Sequence, residues 1–532
     1  MSIQKKSMPS VFYLWLLMFM APFAFATAPA QVSPSLADSN VQLSLDLTAG
    51  TVSHWRLPQV MNAQGQPQDL AMPAGQLFAL KGRLQGKTLE EWTTLAGGWK
   101  TVAADSGAVT IALDSAELPF VIRKTWRLTN TPSRVRFELS LQSRWQAKQA
   151  QDALWLELGP GLGEQPTHGL GMGQAIYSFT EVVYRNAEGV STQRLGHDDN
   201  VRFKPPAGQG VTEWAGLQSR YFALLLIPEG STEGHLEWEA QAPATGVEYP
   251  QQPDFETLLR INIPLPEAHS ESSQILRWDV FGGGKSYDVL SAQEPTLTSL
   301  LFAGLWEWMR ALILGIMYVL AFIHQGVGNW GVSIILLSIL VRLVMYPVAK
   351  NAMAAQKKFA AIQERIQPEL QEIRRNYKGG EQSERILELY EAHQVSPLAG
   401  LKPLLIVLIQ IPIFVALYHL LGQAFELRNE PFLWIQTLAQ PDQLFSFGVD
   451  IPFFGAYFNL LPVLMALSTL LSIKFSQTVA ANAKEAFRQQ FFLWLMALVF
   501  FLLFYSFPSG MVLYWTMANI LQFVHQQLAS RK

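Results

Sequence analysis

The chain has 532 residues, 49% hydrophobic and 15% charged, with a formal net charge of −3 and a mean hydropathy of +0.15. This composition points away from an ordinary soluble protein and towards the bilayer, and the near-neutral balance excludes a global basic field that would recruit nucleic acid. Cysteine is absent, which removes disulfides, thiol nucleophiles and thiolate metal sites together.

The chain opens with Lys5 and Lys6, an apolar stretch from Val11 to about Phe25, and small residues Ala24, Ala26 and Ala28 at alternate positions. Residues 1–30 therefore read as a cleavable signal peptide or as an uncleaved first transmembrane anchor, and in both cases the next segment is exported. Residues 31–296 are polar and rich in turn formers. They alternate with period two: Val41, Leu43, Leu45 and Leu47 share one face, as do Val135, Phe137, Leu139 and Leu141. Many strands without intervening helical patterns predict a large antiparallel β-sandwich, and no run in it is apolar enough to span a membrane.

After Pro295 long apolar segments begin: Leu300 to Phe322, Val332 to Val348, Leu404 to Leu421, Ile451 to Ile473, Phe491 to Phe507, and Met511 to Leu528. The first carries Glu307 and Arg310 beside Trp306 and Trp308, as a helix lying in the membrane interface would, so residues 297–325 read as an interfacial amphipathic helix. The remaining five predict a membrane core over 326–528, with spans at about 331–349, 403–421, 452–473, 491–507 and 510–528. The segment 350–400 contains Lys357, Lys358, Arg365, Arg374, Arg375, Lys378 and Arg385, and is cytoplasmic by the positive-inside rule. An odd number of spans then separates it consistently from an exported sandwich. Within it Ile362, Ile366, Leu370, Ile373 and Tyr377 form one helical stripe, the glycines at 379 and 380 break it, and Ile386, Leu389 and Tyr390 start another, which predicts a helical hairpin.

Arg342 interrupts the first of these spans. A charge at membrane depth costs a few kcal/mol and normally faces protein or water. At 100° per residue, Ser338, Arg342 and Tyr346 lie along one helix face, and Arg342 sits eight residues before Lys350, about 12 Å from that end. Other spans add Gln410, then Ser468, Thr469 and Ser472, then Trp515, Thr516, Asn519 and Gln522, which together suggest a wetted interior. The cores of the five spans hold no acidic residue, so Arg342 is left to attract an anionic group from outside the protein.

Catalytic and metal patterns are missing: there is no H-E-x-x-H, G-x-S-x-G or G-x-x-x-x-G-K-[ST], and "FGGGKSY" at Phe281 to Tyr287 does not complete a phosphate-binding loop. His197 beside Asp198 and Asp199 is the one local acid–imidazole cluster and reads as a surface turn. No catalytic residue, metal site or cofactor is expected.

The stretches "VGNWGVSIILLSILVRLVMYPV", "SPLAGLKPLLIVLIQIPIFVALY", "ELRNEPFLWI" and "FPSGMVLYWTMANILQFVHQ" resemble the YidC membrane insertase family of Gram-negative bacteria, within the YidC/Oxa/Alb superfamily. The resemblance covers about Leu300 to Gln527 and extends more loosely into the sandwich through "FVIRKTWRLT", "AGLQSRYFALLLIP" and "FGGGKSYDVL". It implies a periplasmic β-supersandwich and five helices around a hydrophilic groove open to cytoplasm and lipid. Arg342 matches the groove arginine, Ser338 the hydroxyl residue one turn before it, and Tyr514 with Trp515 the aromatic pair of the last span. The function implied is insertion and folding of nascent inner-membrane proteins, alone or with the Sec translocon, with the ribosome approached through the cytoplasmic loops and no specific nucleic acid bound. Three departures stand out, one being an amino terminus that looks more like a cleavable signal than the family's usual retained first span. The segment Pro403 to Gln410 is three residues longer than the family pattern, which would rotate Gln410 by about 60°. Only Arg531 and Lys532 are basic after the last span. Two other function classes fit the residues without the resemblance: a small-anion transporter or channel using Arg342, and a membrane-anchored sugar-acting enzyme carried by the sandwich.

Overall fold

The computed structural model describes residues 33–71, 77–144, 152–163, 180–194, 213–229, 238–241, 257–266, 273–393, 402–452, 454–475 and 483–530. The amino-terminal segment 1–30, the His197 cluster and the last two residues lie outside this set.

Antiparallel pairing builds the first half. The largest sheet has nine strands in the order Gly189–Gln193, Thr180–Asn186, Trp214–Ser219, Phe222–Glu229, Ser273–Gly284, Arg134–Ser143, Phe120–Leu128, Ala108–Leu113 and Lys100–Ala104. A five-stranded and a four-stranded sheet accompany it, the latter formed by Ser35–Ala37, Gln42–Asp46, Thr51–Met61 and Pro67–Asp69. The alternation seen in sequence becomes a core: Val41, Leu43, Leu45, Val135, Phe137, Leu139 and Leu141 are all buried. Aromatic rings fill its centre, Trp55 against Phe78 at 6.1 Å, Phe78 against Phe137 at 4.7 Å, and Phe137 against Trp278 at 5.7 Å. A short helix, α1 (Leu89–Leu95), opens on a capping box between Thr88 and Glu91.

One lysine is sealed in this core. Lys124 is fully buried, donates to the carbonyls of Gly50 at 2.6 Å and Phe78 at 2.7 Å, and lies over the Trp99 ring. Desolvation pushes its pKa well below the ordinary lysine value.

The glycine run at 282–284 has a packing role at the end of a central strand. A Cβ on Gly282 would meet the Trp55 ring at 2.5 Å, and one on Gly284 would meet the Phe425 ring at 2.5 Å. Phe425 belongs to the helical half, so Gly284 lets the two halves approach.

After α2 (Tyr287–Gln293) and a 3₁₀ turn at Pro295–Leu300, the chain enters the helical half. It consists of α3 (Glu307–Val327), α4 (Trp330–Asn376), α5 (Gly379–Ala392), α6 (Lys402–Gln423), α7 (Leu460–Phe475), α8 (Ala483–Phe504) and α9 (Ser509–Ser530). Among the described residues, Glu307–Val327 and Trp330–Pro347 are long and apolar enough to cross a bilayer, and Leu460–Lys474 and Gln490–Phe504 are shorter apolar helices. α3 starts at Glu307 and not near 297, because Gly304 adopts φ 82° and the preceding turn is 3₁₀. It packs against α4 and α6.

Two further places differ from the sequence reading for physical reasons. The helix carrying the first span does not end with it: the apolar stretch is Trp330–Pro347, but α4 runs unbroken for 47 residues through Pro347 and Pro368 into the basic segment. There Ile366 and Leu370 are buried against Leu389 of α5, with Ile362, Ile373, Ile386 and Tyr390 around them. The third span does not begin at 452. Residues Phe445–Ile451 and Gly455–Phe458 pair as a β-hairpin, and the helix starts only at Leu460, where Asp442 accepts from the amides of Leu460 and Leu461. Pro452 and Gly455 break the apolar run that made this stretch look continuous.

The two halves are joined by specific contacts. Arg220, in the turn between two sandwich strands, donates to the carbonyls of Gly422 at 2.7 Å and Ala439 at 2.8 Å. Arg428, just past α6, donates to Met61 O and Gln68 Oε1, both at 2.6 Å, and stacks over Phe222. The segment linking α6 to α7 therefore lies on the sandwich side of the helices.

A polar cavity among the helices

The residues around Arg342 are placed by three helices. α4 carries Arg342, α6 carries Gln410, and α9 carries Tyr514, Trp515, Ala518, Asn519 and Gln522; together these line a cavity of about 280 Å³. No carboxylate forms an ion pair with Arg342 among the described residues. The guanidinium is half-buried in a wall of mixed polar and aromatic groups.

Two of the lining groups are held from behind. Trp515 is gripped by Phe414 at 5.1 Å and Phe504 at 5.6 Å, so its ring position depends on α6 and α8 as well as on its own helix. Asn519 donates to Thr469 Oγ1 at 2.7 Å, and Ser472 donates to Asn519 O at 3.4 Å, which ties α7 to α9 through polar side chains. Thr469 itself donates to Met465 O one turn back.

The expected site residues divide into two groups. Arg342, Tyr514, Trp515 and Asn519 come together in the cavity wall. Ser338 and Thr516 do not line it: both are buried, and their hydroxyls donate to their own helices, at Ile335 O and Val512 O. Tyr346 is exposed at the far end of the Arg342 face. Gln410 lines the cavity despite the longer segment before it. Three added residues in a helix of 3.6 per turn displace a side chain by only a fraction of a turn, which a long glutamine spans. Ala518, a small residue that leaves room for the void, carries no signal in the sequence.

The segment that builds this cavity is shared with known proteins. Residues 322–532 match the family model of the 60Kd inner membrane protein. The membrane protein insertase YidC of Tolumonas auensis is 31% identical over 398 residues, covering 74% of this chain and 64% of its own. Residues 322–532 carry this similarity to the YidC/Oxa1 family. A second YidC, from Syntrophobacter fumaroxidans, is 35% identical over 252 residues, covering 47% of this chain and 42% of its own. The chain spans about half the length of the curated relatives it matches. Among solved structures, an active YidC insertase aligns over 97% of this chain and 98% of its own at 16% identity and a TM-score of 0.33. A galactose mutarotase-like protein from Lactobacillus casei aligns over 47% of this chain and 100% of its own at 12% identity and a TM-score of 0.32. The polar cavity falls within the segment that the family model covers, Gln410 to Gln522 and Arg342 included.

Proposed function

We propose that the protein is an inner-membrane insertase and folding chaperone. It takes hydrophobic segments of nascent membrane proteins from the cytoplasm and releases them sideways into lipid, alone or with the Sec translocon. The observation that carries this reading is the polar cavity holding Arg342, which has no carboxylate partner among the described residues. A permanent charge placed so needs water and favours an anionic visitor. The polar or acidic flank of a client occupies the cavity while the apolar segment lies against the surrounding helices. Water and the Asn519, Gln410 and Gln522 side chains lower the cost of desolvating that flank. Burial of the client's apolar surface in lipid, at about 25 cal/mol per Å², then drives completion.

In this reading the sandwich is periplasmic, α3 lies in the interface, and five helices cross the bilayer. The hairpin of α4 and α5 faces the cytoplasm, where nascent chains and the ribosome are met. The family's name for its members and the basic α4–α5 segment support it.

The test combines rescue of insertase-depleted cells with crosslinking from single introduced cysteines, which are unique labels in a chain with none. Rescue is expected, with nascent-chain adducts at positions 515 and 519. Failure to rescue together with absence of adducts at both positions would reject the reading.

A further inference from the structure

The hairpin between α6 and α7 is apolar where a soluble loop would not be. Of residues 443–459 one is charged, Asp450, and the alternate positions Phe445, Phe447, Val449 and Ile451 are all apolar. Phe445, Phe447 and Phe458 cluster, with Phe445 stacked on Phe458 at 5.0 Å, yet Phe445 is 52% exposed and Val449 64% exposed. An isolated two-stranded sheet is marginal in water and needs a covered apolar face.

The hairpin is nevertheless held in one place. Phe454 packs on Tyr505 at 4.7 Å and on Phe501 at 6.4 Å, at the end of α8. The Tyr505 hydroxyl accepts from Asn459 N and donates to Tyr457 O, while Asn459 Nδ2 donates to Tyr505 O. Phe454 thus joins the hairpin to α8, a helix on which Trp494, Leu498, Leu502 and Leu503 are exposed.

We propose that this hairpin is a shallow membrane anchor that docks on lipid in the leaflet on the sandwich side. The proposal rests on the bilayer reading of α7 and α8. The occupant is assigned as lipid because Phe454 of the hairpin packs on Phe501 of α8, whose outer side is apolar and exposed, and because the second strand ends one residue before α7 begins. The depth is set by the backbone: a two-stranded sheet leaves edge amides and carbonyls unpaired, which hydrocarbon does not tolerate and the headgroup region does. Tyr457, in the second strand, matches the preference of Tyr for the interface. A charged residue in the sequence near the turn, Asp450, suits the headgroups and not hydrocarbon.

The test uses the full chain in phospholipid nanodiscs with single cysteines at Val449, at Leu498 of α8, and at the exposed Val102 of the sandwich, each carrying a bimane label. Quenching is read with nitroxide lipids labelled near the headgroup or at mid-chain, and with aqueous iodide. The Val449 label should be quenched more by the shallow nitroxide than by the deep one, with an iodide constant at least about threefold below that at Val102. A second label, at Leu444, should repeat this. Equal iodide quenching at Val449 and Val102 overturns the proposal, and so does iodide protection without lipid quenching, the signature of a protein cover such as a second copy. Absence of lipid quenching at Leu498 removes the bilayer reading and the anchor with it, which separates the two failures.

Discussion

Arg342 is the residue on which the site turns, and charge reversal there is the sharpest single perturbation. Arg342→Glu should impair insertion of clients with acidic flanks, and Arg342→Lys should retain part of the activity if charge and not guanidinium geometry is used. Full activity of the Glu variant across such clients, measured by protease protection of newly made chains, would sink the attraction account. Glu426 offers a pH-dependent counterpart at the joint between the halves. It lines a small void with Arg220, Lys285 and Gln423, and its Oε2 has no hydrogen-bond partner among the described residues. Burial raises its pKa to about 7, with the nearby Asp288 carboxylate also raising it; the amides of Tyr287 and of Glu426 itself act in the opposite direction. Because the folded value lies above the unfolded one, the contribution is present in full below about 4.5 and is lost as pH rises through about 7. Glu426→Gln should therefore flatten the fall in unfolding temperature between pH 5 and 8, read by tryptophan fluorescence in detergent. Lys124→Met would strand the carbonyls of Gly50 and Phe78 in the core, at a cost of roughly 2–4 kcal/mol in denaturant unfolding.

At the scale of elements, close approach at glycine is the constraint most open to test. A Cβ on Gly331, in the first turn of α4, would lie 2.2 Å from the Phe432 ring. Gly331→Ala should destabilise by about 1–3 kcal/mol, and Phe432→Ala in the same chain should recover part of that loss. A Gly331→Ala variant with unchanged melting would show that the ring moves freely.

Legibility in the sequence also divides at this scale. Strands were legible wherever one face is buried, as at Val135 to Leu141, because burial imposes the period of two. Their order was not: Ser273–Gly284 sits between Arg134–Ser143 and Phe222–Glu229, and its pairing with the first of these spans more than a hundred residues that no local pattern encodes. The hairpin at 445–458 was hidden because its aromatic alternation runs into the apolar start of α7. In the cavity, Arg342 was conspicuous as a charge in an apolar run. The turning of Ser338 and Thr516 onto the carbonyls of Ile335 and Val512 in their own helices was not visible, since a hydroxyl on a polar helix face looks the same whether it serves a cavity or its own backbone.

For the whole molecule, the contacts of Arg220 and Arg428 decide whether the sandwich is tethered or docked. Arg428 reaches two acceptors on the Thr51–Met61 and Pro67–Asp69 strands, and Arg220 satisfies a carbonyl at the end of α6, where a cation is favoured. Spin labels at Gln64 and Leu433 should give a narrow distance distribution in the parent chain and a broad one in the Arg220→Ala, Arg428→Ala double variant. An equally narrow distribution in both would mean that the apolar contact of Phe222 with Phe425 suffices.

The continuity of α4 has a mechanical meaning. Arg342 and the distal basic segment ride on one rod with a proline at 347 between them. Twenty-nine residues lie from Pro347 to Asn376, about 44 Å at 1.5 Å per residue, whereas Arg342 lies about 7.5 Å on the other side. If the proline acts as a fulcrum, a body that swings the far tip by about 4 Å turns the rod by roughly 5° and moves the guanidinium by well under 1 Å, a reduction of about sixfold. Large, soft displacements at the distal end would thus arrive at the cavity as fine adjustments of a single charge.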